Sequence, residues 1–239
     1  MTAIPTTPTS HSFKRTAAFV AAGLLAASAS VLQAQQTITY IDAVAGASGN
    51  TFKTGSTLDD TSWFGSGTGA SDTHWMRRTV FGNAGTVFQA TTNSDPNSIP
   101  ELTTRITGLA DEQYDIYVFF WSTTSPWRLD SGLTSGALDG YTKDTAGVVA
   151  ASNLSFSNTV MTVEDNRTLY AVNLGQVTIV GGEGAGTVDV FVDHLGPTGS
   201  NDRVWYDGVG YAVVPEPAAV ALLGGLLAMG AVLSRRRRG

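Results

Sequence analysis

Three tryptophans lie in glycine-, serine- and threonine-rich stretches and are the side chains best suited to contact a ligand. Trp63, Trp75 and Trp127 carry flat apolar rings, and Trp127 is followed by Arg128 and Asp130. The C–H faces of sugars stack on aromatic rings, while sugar hydroxyls pair with charged groups. These five residues therefore predict a carbohydrate-contacting surface. The alternative is that the tryptophans are packing residues that close the ends of the fold.

Patterns for catalysis are sparse. The sequence has no G-x-S-x-G elbow, H-E-x-x-H pair or Walker A loop. The absence of cysteine excludes thiol nucleophiles and disulfides, and one of only three histidines, His11, lies in the N-terminal leader. Paired carboxylates could serve a glycoside hydrolase, and Asp59-Asp60 and Glu164-Asp165 are adjacent. Because neighbours on a strand point to opposite faces, we predict solvated acids and no catalytic residue, with glycoside hydrolysis as the second hypothesis.

No metal or cofactor site is predicted, although calcium is left open. Ca²⁺ requires several oxygen ligands at one place, and the sequence contains no D-x-D-x-D-G loop. The carboxylates that could contribute to such a site are Asp59, Asp60, Asp189, Asp193 and Asp207.

Charge is distributed unevenly along the chain. The net charge of the whole chain is −6, but residues 35–214 contain 8 basic and 19 acidic side chains, a net charge of −11. Nucleic acids are bound through basic surfaces that neutralise phosphates. We therefore expect no nucleic-acid partner for this part of the chain.

Period-two alternation of apolar and polar residues dominates residues 35–214. Residues 102–107 and 114–121 are separated by a turn at 108–112 and predict a β-hairpin. The last strand is predicted to be broken or bulged at Gly208. The strand predictions are 37–41, 79–81, 86–90, 102–107, 114–121, 169–174, 176–180, 187–194, 203–206 and 209–214, with further pieces within 127–149.

These strands predict an all-β domain over residues 35–214. No segment between the two ends has a helical period, so parallel βαβ architecture is disfavoured. Eight to ten short strands predict an antiparallel two-sheet sandwich. Residues 48–76 are rich in Gly, Ser, Thr and Asp and are predicted to form one extended loop.

The N-terminal residues 1–34 have the pattern of a secretory signal peptide. Lys14 and Arg15 precede the apolar stretch 16–27, and small residues follow at 27–29, with a second candidate cleavage site after Ala34. The alternative is an uncleaved membrane anchor. Either way, the leader predicts export through the secretion translocon.

The C-terminal residues 215–239 combine three features. The triplet Pro215-Glu216-Pro217 comes first, and the two prolines favour an extended segment without backbone donors. The 17 uncharged residues 218–234 follow and would rise about 25 Å as a helix, near the lower limit for a bilayer. The basic cluster after this predicted transmembrane helix consists of Arg235, Arg236, Arg237 and Arg238. Such a cluster stays on the cytoplasmic side of the membrane; the alternative is a buried helix with a solvated tail.

This tail resembles the PEP-CTERM sorting signal of Gram-negative bacteria that make extracellular polysaccharide. The resemblance covers residues 214–239 and consists of the tripeptide, the apolar segment, the arginine cluster and its terminal position. It implies recognition by exosortase, a membrane-embedded enzyme that processes such proteins near the tripeptide. It further implies an intermediate anchored in the inner membrane with residues 35–214 in the periplasm. The implied final location is the cell surface or the extracellular matrix.

Residues 35–214 resemble the jelly-roll domains of carbohydrate-binding modules and of other PEP-CTERM proteins. Ile106-Thr107-Gly108-Leu109, followed by residues 114–118, and the closing residues 205–211 carry this resemblance. It implies a jelly-roll sandwich and polysaccharide as a partner. The resulting hypothesis is a non-enzymatic, glycan-contacting protein of the cell surface or matrix. The alternatives are a secreted carbohydrate-active enzyme and an adhesin or self-assembling surface protein.

Overall fold

Strands account for nearly all regular structure in the computed structural model, which describes residues 36–66, 73–91, 99–125, 127–157, 159–182, 184–194 and 203–215. Within these ranges there are fifteen strands and one 3₁₀ turn, Ala151–Asn153. In the same ranges, no helix has the length and apolar character needed to cross a bilayer. The predicted signal peptide and the predicted transmembrane segment 218–234 lie outside the described residues.

The larger sheet contains ten strands and includes the chain's last strand near its centre. Its strands are β1 (Thr37–Asp42), β3 (Phe64–Ser66), β4 (Trp75–Thr79), β5 (Thr86–Thr91), β7 (Gln113–Ser122), β10 (Val148–Ala150), β11 (Ser155–Phe156), β12 (Val163–Glu164), β13 (Arg167–Thr178) and β15 (Arg203–Val213). Their order is β10-β13-β7-β15-β5-β4-β3. In addition, β1 pairs with β15 and β11, and β12 pairs with β13.

The smaller sheet contains five strands. They are β2 (Thr51–Lys53), β6 (Leu102–Leu109), β8 (Leu129–Thr134), β9 (Ala137–Tyr141) and β14 (Gly186–Asp193). Their order is β2-β6-β14-β8-β9, and all of these pairs are antiparallel. In β14, Val188, Val190 and Val192 are buried on the core side, as the alternating pattern predicts.

The main core lies between the two sheets. Buried side chains of β6, β8 and β14 share one cluster with those of β4, β5, β7 and β15. Because alternate residues of a strand point to opposite faces, each sheet contributes every second side chain to this layer. Residues Gln35–Val214 thus form one compact unit with two packed sheets, as the sequence predicts for its fold class.

The larger sheet is also buried on its outer face. Phe119, Trp121 and Leu169 alternate with core residues and belong to a second apolar cluster, together with Trp127 and Trp205. Leu154, Phe156 and Val160 from the chain after β10 pack against this cluster. The strands β7 and β15 are therefore apolar on both faces because each face has its own cover.

The predicted hairpin of residues 102–107 and 114–121 is wrong. β6 pairs with β2 and β14 in the smaller sheet, whereas β7 pairs with β13 and β15 in the larger one. The turn between them therefore crosses from one sheet to the other. Ile106 and Leu109 of β6 and Ile116 and Val118 of β7 belong to the same core cluster between the sheets.

Three further predictions need correction. Residues 48–76 are not one loop, since they include β2, β3 and the start of β4. Residues 169–174 and 176–180 are one strand, β13, with an irregularity between Asn173 and Gly175. The larger sheet is mixed, because β3 runs parallel to β4 and β1 runs parallel to β11. These short strands have too few residues to produce a clear alternating pattern.

The bulge in the last strand is confirmed. The register of β15 against β7 shifts between Tyr206 and Gly208, which places Asp207 at the irregular position. Before this position β15 pairs with β5, and after it β15 pairs with β1. The bulge therefore marks the point where β15 exchanges one neighbour for another.

Candidate functional site

Trp63 and Trp75 lie side by side in the core. Trp63 is 1% exposed and Trp75 is 0% exposed, and the backbone N–H of Trp75 donates to the carbonyl of Trp63 (3.0 Å). The Trp63 ring packs against Phe64 and Phe88, with centroids 4.8 and 4.9 Å away. The indole N–H of Trp75 donates to the Pro100 carbonyl (2.8 Å). Neither ring presents a face to a ligand, in agreement with the packing alternative.

Trp127 lies elsewhere, in the outer cluster of the larger sheet. It is 5% exposed and packs against Trp205 at a centroid distance of 5.6 Å. The larger sheet separates it from Trp63 and Trp75, which belong to the core between the sheets. The prediction that the three tryptophans form one stacking surface is therefore not met in this structure.

Arg128 and Asp130 do come together, on the outer face of the smaller sheet. Nη2 and Nε of Arg128 donate to Oδ1 of Asp130 at 2.5 and 3.1 Å. The guanidinium lies over Gly140 of the paired strand β9, where any Cβ would collide with it. The Asp130 side chain is 2% exposed and the Arg128 side chain is 40% exposed. The guanidinium group is therefore accessible from solvent, while the carboxylate is buried.

A second carboxyl group stands next to this ion pair. Asp193 is directly opposite Asp130 in the register of β14 and β8. Opposite residues of antiparallel strands have Cβ atoms about 5 Å apart on the same face. Both residues alternate with core residues, since Leu129 and Val192 point inward. The two carboxyl groups therefore face each other on the outer side of the smaller sheet.

The environment of Asp193 favours its protonated form. Burial raises the pKa of Asp193 to about 7, and the charges of Glu101 and Asp130 act in the same direction. The His194 backbone N–H donates to Oδ1 of Asp193 (2.7 Å) and opposes this shift. Asp193 thus holds or releases a proton near neutral pH, beside a carboxylate that Arg128 holds as an ion pair.

Two neighbours complete this cluster. His194 is 3% exposed, and burial lowers the pKa of its imidazole, which favours the neutral ring. Glu101 accepts hydrogen bonds from the Ser135 hydroxyl (2.7 Å) and the Gly136 backbone N–H (2.9 Å). We call Glu101, Arg128, Asp130, Asp193 and His194 the acid cluster. Its chemistry is that of hydrogen bonding to polar ligands and of proton exchange near pH 7.

Two of these five residues, Arg128 and Asp130, were predicted from the sequence to contact a ligand. Arg128 and Asp130 were selected because they follow a tryptophan, and Asp193 was considered only as a calcium ligand. Glu101 and His194 lie far from residues 128–130 in sequence, and the pairing of β14 with both β8 and β6 brings them near. The sequence did contain one signal for Asp193. It continues the alternating pattern of β14, in which Val188, Val190 and Val192 point inward, so its side chain was expected on the outer face.

The acids considered for calcium are not gathered at one place. Asp189 pairs with Arg105 (2.7 Å), Asp193 belongs to the acid cluster and Asp207 lies at the bulge of β15. Asp59 and Asp60 lie in the turn after β2, where the Ser62 N–H donates to Asp60 Oδ1 (2.8 Å). In the described part of the chain, no group of three or more His, Cys, Asp or Glu side chains is arranged to hold a metal ion.

Asp207 forms a separate buried group with Asp42 and Tyr40. The Tyr40 hydroxyl donates to Oδ1 of Asp42 (3.0 Å), and Nδ2 of Asn83 donates to Oδ2 of Asp207 (2.6 Å). Burial raises the pKa of Asp207 to about 8, with the Asp42 charge acting in the same direction. Burial also raises the pKa of Asp42 to about 6. This group joins β1 to β15 and the turn before β5.

The predicted sorting motif is described only at its first residue. Val214 is still tied to the sheet by a hydrogen bond from its N–H to the Gln113 carbonyl (2.8 Å), and Pro215 is exposed. Glu216, Pro217 and the cluster Arg235 to Arg238 lie outside the described residues. The motif therefore follows the last strand without an intervening linker in the sequence.

Comparisons with known proteins give no family assignment. No family model matches the chain, and no curated protein matches it. Among solved structures, it is similar to the GH26-CBM35 β-(1,4)-mannanase of Podospora anserina, at 14% identity and a TM-score of 0.37. That likeness covers 77% of this chain and 29% of the mannanase.

A second similar structure is a family GH115 4-O-methyl-α-glucuronidase with specificity for decorated arabinogalactans. The identity is 10% and the TM-score 0.33, over 58% of this chain and 16% of the enzyme. The chain thus spans less than a third of either protein. Likenesses of this size carry no argument about activity, so function has to be inferred from the residues of the chain itself.

Proposed function

We propose that this chain is an exported, non-enzymatic protein of the cell surface or extracellular polysaccharide matrix, whose jelly-roll-like body contacts glycan. In this proposal the leader 1–34 directs export through the translocon, and the tail 215–239 acts as a PEP-CTERM signal for exosortase. The segment 218–234 holds the intermediate in the inner membrane with its body in the periplasm.

The tail sequence carries the proposed route. Pro215, Glu216 and Pro217 come immediately after Val214, whose N–H is bonded to the sheet. Two prolines within three residues disfavour both helix and sheet pairing. A processing enzyme would therefore meet an extended segment next to a folded domain.

The route is tested by replacing Pro215, Glu216 and Pro217 with alanine in the native host. We expect the wild-type protein to lose residues beyond the motif and to reach the cell surface or medium. The variant should keep its tail and stay in the membrane fraction. Cell fractionation and intact-mass spectrometry measure both outcomes.

A control variant with lysine at Arg235, Arg236, Arg237 and Arg238 keeps the positive charge and should keep the membrane orientation. Wild-type protein found in the cytosol with both termini intact would contradict the proposed route.

The acid cluster carries the proposed glycan contact. Arg128, with 40% of its side chain exposed, is fixed by Asp130 and by Gly140 beneath it. A charged group that is already held in position loses little conformational entropy when it binds a hydroxyl. This supports sugar binding at the outer face of the smaller sheet, next to Asp193.

The same cluster gives a specific reason for the second candidate, a carbohydrate-active enzyme. Retaining glycosidases place two carboxyl groups about 5–5.5 Å apart, one protonated and one ionised. Asp193 and Asp130 face each other at a comparable strand spacing, and the pKa of Asp193 is raised to about 7. Asp130 is 1% exposed and Asp193 is 7% exposed, and this burial argues for a structural and binding role over catalysis.

One experiment separates the two candidates. The full chain in neutral detergent is incubated with the polysaccharide of its host, and binding and release of reducing ends are measured across pH. We expect binding without release, for the wild type and for Asp193→Asn alike. Release that depends on Asp193 and has a pH-rate limb near 7 would establish the enzyme instead. Absence of binding to any glycan would remove the glycan contact from the proposal.

A further inference from the structure

Three arginines converge on the outer face of the larger sheet, whereas the carboxyl groups of Asp130 and Asp193 lie on the smaller sheet. Arg78, Arg167 and Arg203 lie on β4, β13 and β15, and we call them the arginine platform. Arg78 is opposite Val87, while Arg167 and Arg203 are each two residues before an outer-cluster residue, Leu169 and Trp205. All three side chains therefore lie on the outer face of this sheet.

The platform rests on aromatic rings. The guanidinium carbon of Arg167 is 4.1 Å from the Trp205 ring centroid and 5.6 Å from that of Trp127. Arg78 is 5.1 Å from the Trp205 centroid, and Arg203 is 5.9 Å from the Trp127 centroid. Two buried tryptophans thus hold three cations side by side.

The positive charge of the platform is only partly balanced. Nη1 of Arg167 forms an ion pair with Asp165 (2.5 Å). Glu164 is opposite Arg167 in the strand register, but its Oε2 accepts a hydrogen bond from the Gly82 N–H (2.7 Å). Within the described ranges, neither Arg78 nor Arg203 has a carboxylate at ion-pair distance.

Two observations indicate that the cluster is unfavourable when nothing else is bound. The pKa of Arg78 is lowered, first by burial and then by the positive charges of Arg167 and Arg203. The Arg167 side chain is only 14% exposed, and its Nε is buried and donates no hydrogen bond. Buried donors are normally satisfied, and leaving one unsatisfied costs free energy.

A concentration of positive charge is also unexpected in this acidic part of the chain. Residues 35–214 carry a net charge of −11 and only eight basic side chains, yet three of the eight lie together here. An oxyanion between the guanidinium groups would offset their mutual repulsion and satisfy free N–H donors. Planar guanidinium groups match the geometry of carboxylate and sulfate oxygens.

We infer that the arginine platform, Arg78, Arg167 and Arg203 on Trp127 and Trp205, is a binding site for the carboxylate or sulfate groups of an acidic polysaccharide. The proposed ligand is an acidic glycan, and its site is a second surface in addition to the acid cluster. The assignment of the anionic groups to a polysaccharide rests on the proposed glycan contact. A nucleic acid is disfavoured because the net charge of −11 repels a continuous phosphate chain.

The test is titration calorimetry of the full chain in neutral detergent at low salt. The probes are oligogalacturonate, a sulfated galactan oligomer, a neutral galactan oligomer of the same length and inorganic sulfate. We expect one acidic oligomer to bind in a salt-dependent way. Arg203→Gln should weaken this binding by about tenfold or more, since charge-assisted hydrogen bonds are lost. Arg203→Lys should retain part of the affinity.

Arg105→Gln is the matched control. Arg105 is also partly exposed and lies over an aromatic ring, that of Phe52, but on the smaller sheet and fully paired with Asp189. The Arg105→Gln substitution should leave binding of the acidic oligomers unchanged. Equal affinities of wild type and Arg203→Gln for every anion would overturn the site. Binding of inorganic sulfate alone, lost in Arg203→Gln, would support the oxyanion site and overturn the polysaccharide as its source.

Discussion

At the scale of single residues, Asp207 is the clearest case of a side chain whose environment changes its chemistry. It is 0% exposed, and its carboxyl group accepts hydrogen bonds from both nitrogen atoms of Asn83. Burial and the neighbouring Asp42 charge raise its pKa to about 8. The native protein therefore holds this carboxyl group protonated at neutral pH, while the unfolded chain ionises it at its ordinary pKa of 3.8.

This difference makes stability depend on pH with a definite sign. Between 3.8 and about 8 the native state binds more protons at Asp207 than the unfolded state does, so stability falls as pH rises. The contribution is complete below the unfolded pKa and is lost as pH passes through the folded one. In Asp207→Asn this loss should be reduced, and Asp42 and Asp193 should still contribute a smaller slope.

The measurement is urea unfolding of the wild type and Asp207→Asn at about pH 5 and about pH 9, on either side of the titration. Asp139→Asn is the control, because Asp139 is exposed on β9 and should leave the slope unchanged. Identical slopes for wild type and Asp207→Asn would show that Asp207 is ionised in the native state.

The residue scale also shows what single positions in a sequence can and cannot reveal. Trp63, Trp75 and Trp127 looked like ligand-binding rings because loop-like composition surrounds them, yet strands β3 and β4 bury the first two. Arg128 and Asp130 were predicted as charged partners for a sugar because they follow Trp127, and in the structure they pair with each other. The opposition of Asp130 to Asp193 depends on strand register, which no local pattern contains.

At the scale of elements, β15 is the strand on which the larger sheet depends. It pairs with β7 on one side, and with β5 and then β1 on the other. Gly208 allows β1 to approach at the bulge, because a Cβ at this position would overlap the Ile41 carbonyl oxygen and lie 3.0 Å from the Tyr40 hydroxyl. Close pairing of β1 and β15 therefore requires a glycine here.

Gly208→Ala should destabilise the protein by about 2 kcal/mol or more, because overpacking forces the backbone of β1 away from β15. Gly65→Ala is the matched control in the same sheet. A Cβ at Gly65 meets only the Met76 sulfur at 3.6 Å, and the change should stay within about 1 kcal/mol. Urea unfolding measures both variants. A Gly208→Ala variant as stable as Gly65→Ala would mean that β1 and β15 are not closely paired.

The positions of most strands longer than five residues were predictable from the alternation of apolar and polar residues. The strands with which they pair were not predictable in this way. The pattern located β6, β7, β14 and β15 to within two residues. It failed on the hairpin, because adjacency in sequence suggested pairing, while β6 and β7 belong to different sheets that share one core. The three-residue strands β2 and β3 exist through pairing with β6 and β4 and have no period of their own.

At the scale of the whole molecule, polar chemistry is divided between the two outer faces of the sandwich. The smaller sheet carries the acid cluster, and the larger sheet carries the arginine platform on its aromatic cover. The two sites differ in sign, since one buries carboxyl groups around one arginine and the other gathers three guanidinium groups. In the proposed glycan contacts, the acid cluster therefore meets hydroxyl groups and the arginine platform meets acidic groups.

The central position of β15 has a consequence for the order in which the chain can fold. Residues 203–213 are the last to be synthesised before the tail, and until they exist β7 lacks one of its two neighbours, while β5 and β1 lack β15 as theirs. Long-range pairing of this kind delays completion of a sheet until the end of synthesis. The larger sheet of the nascent chain therefore cannot be completed until this strand has emerged.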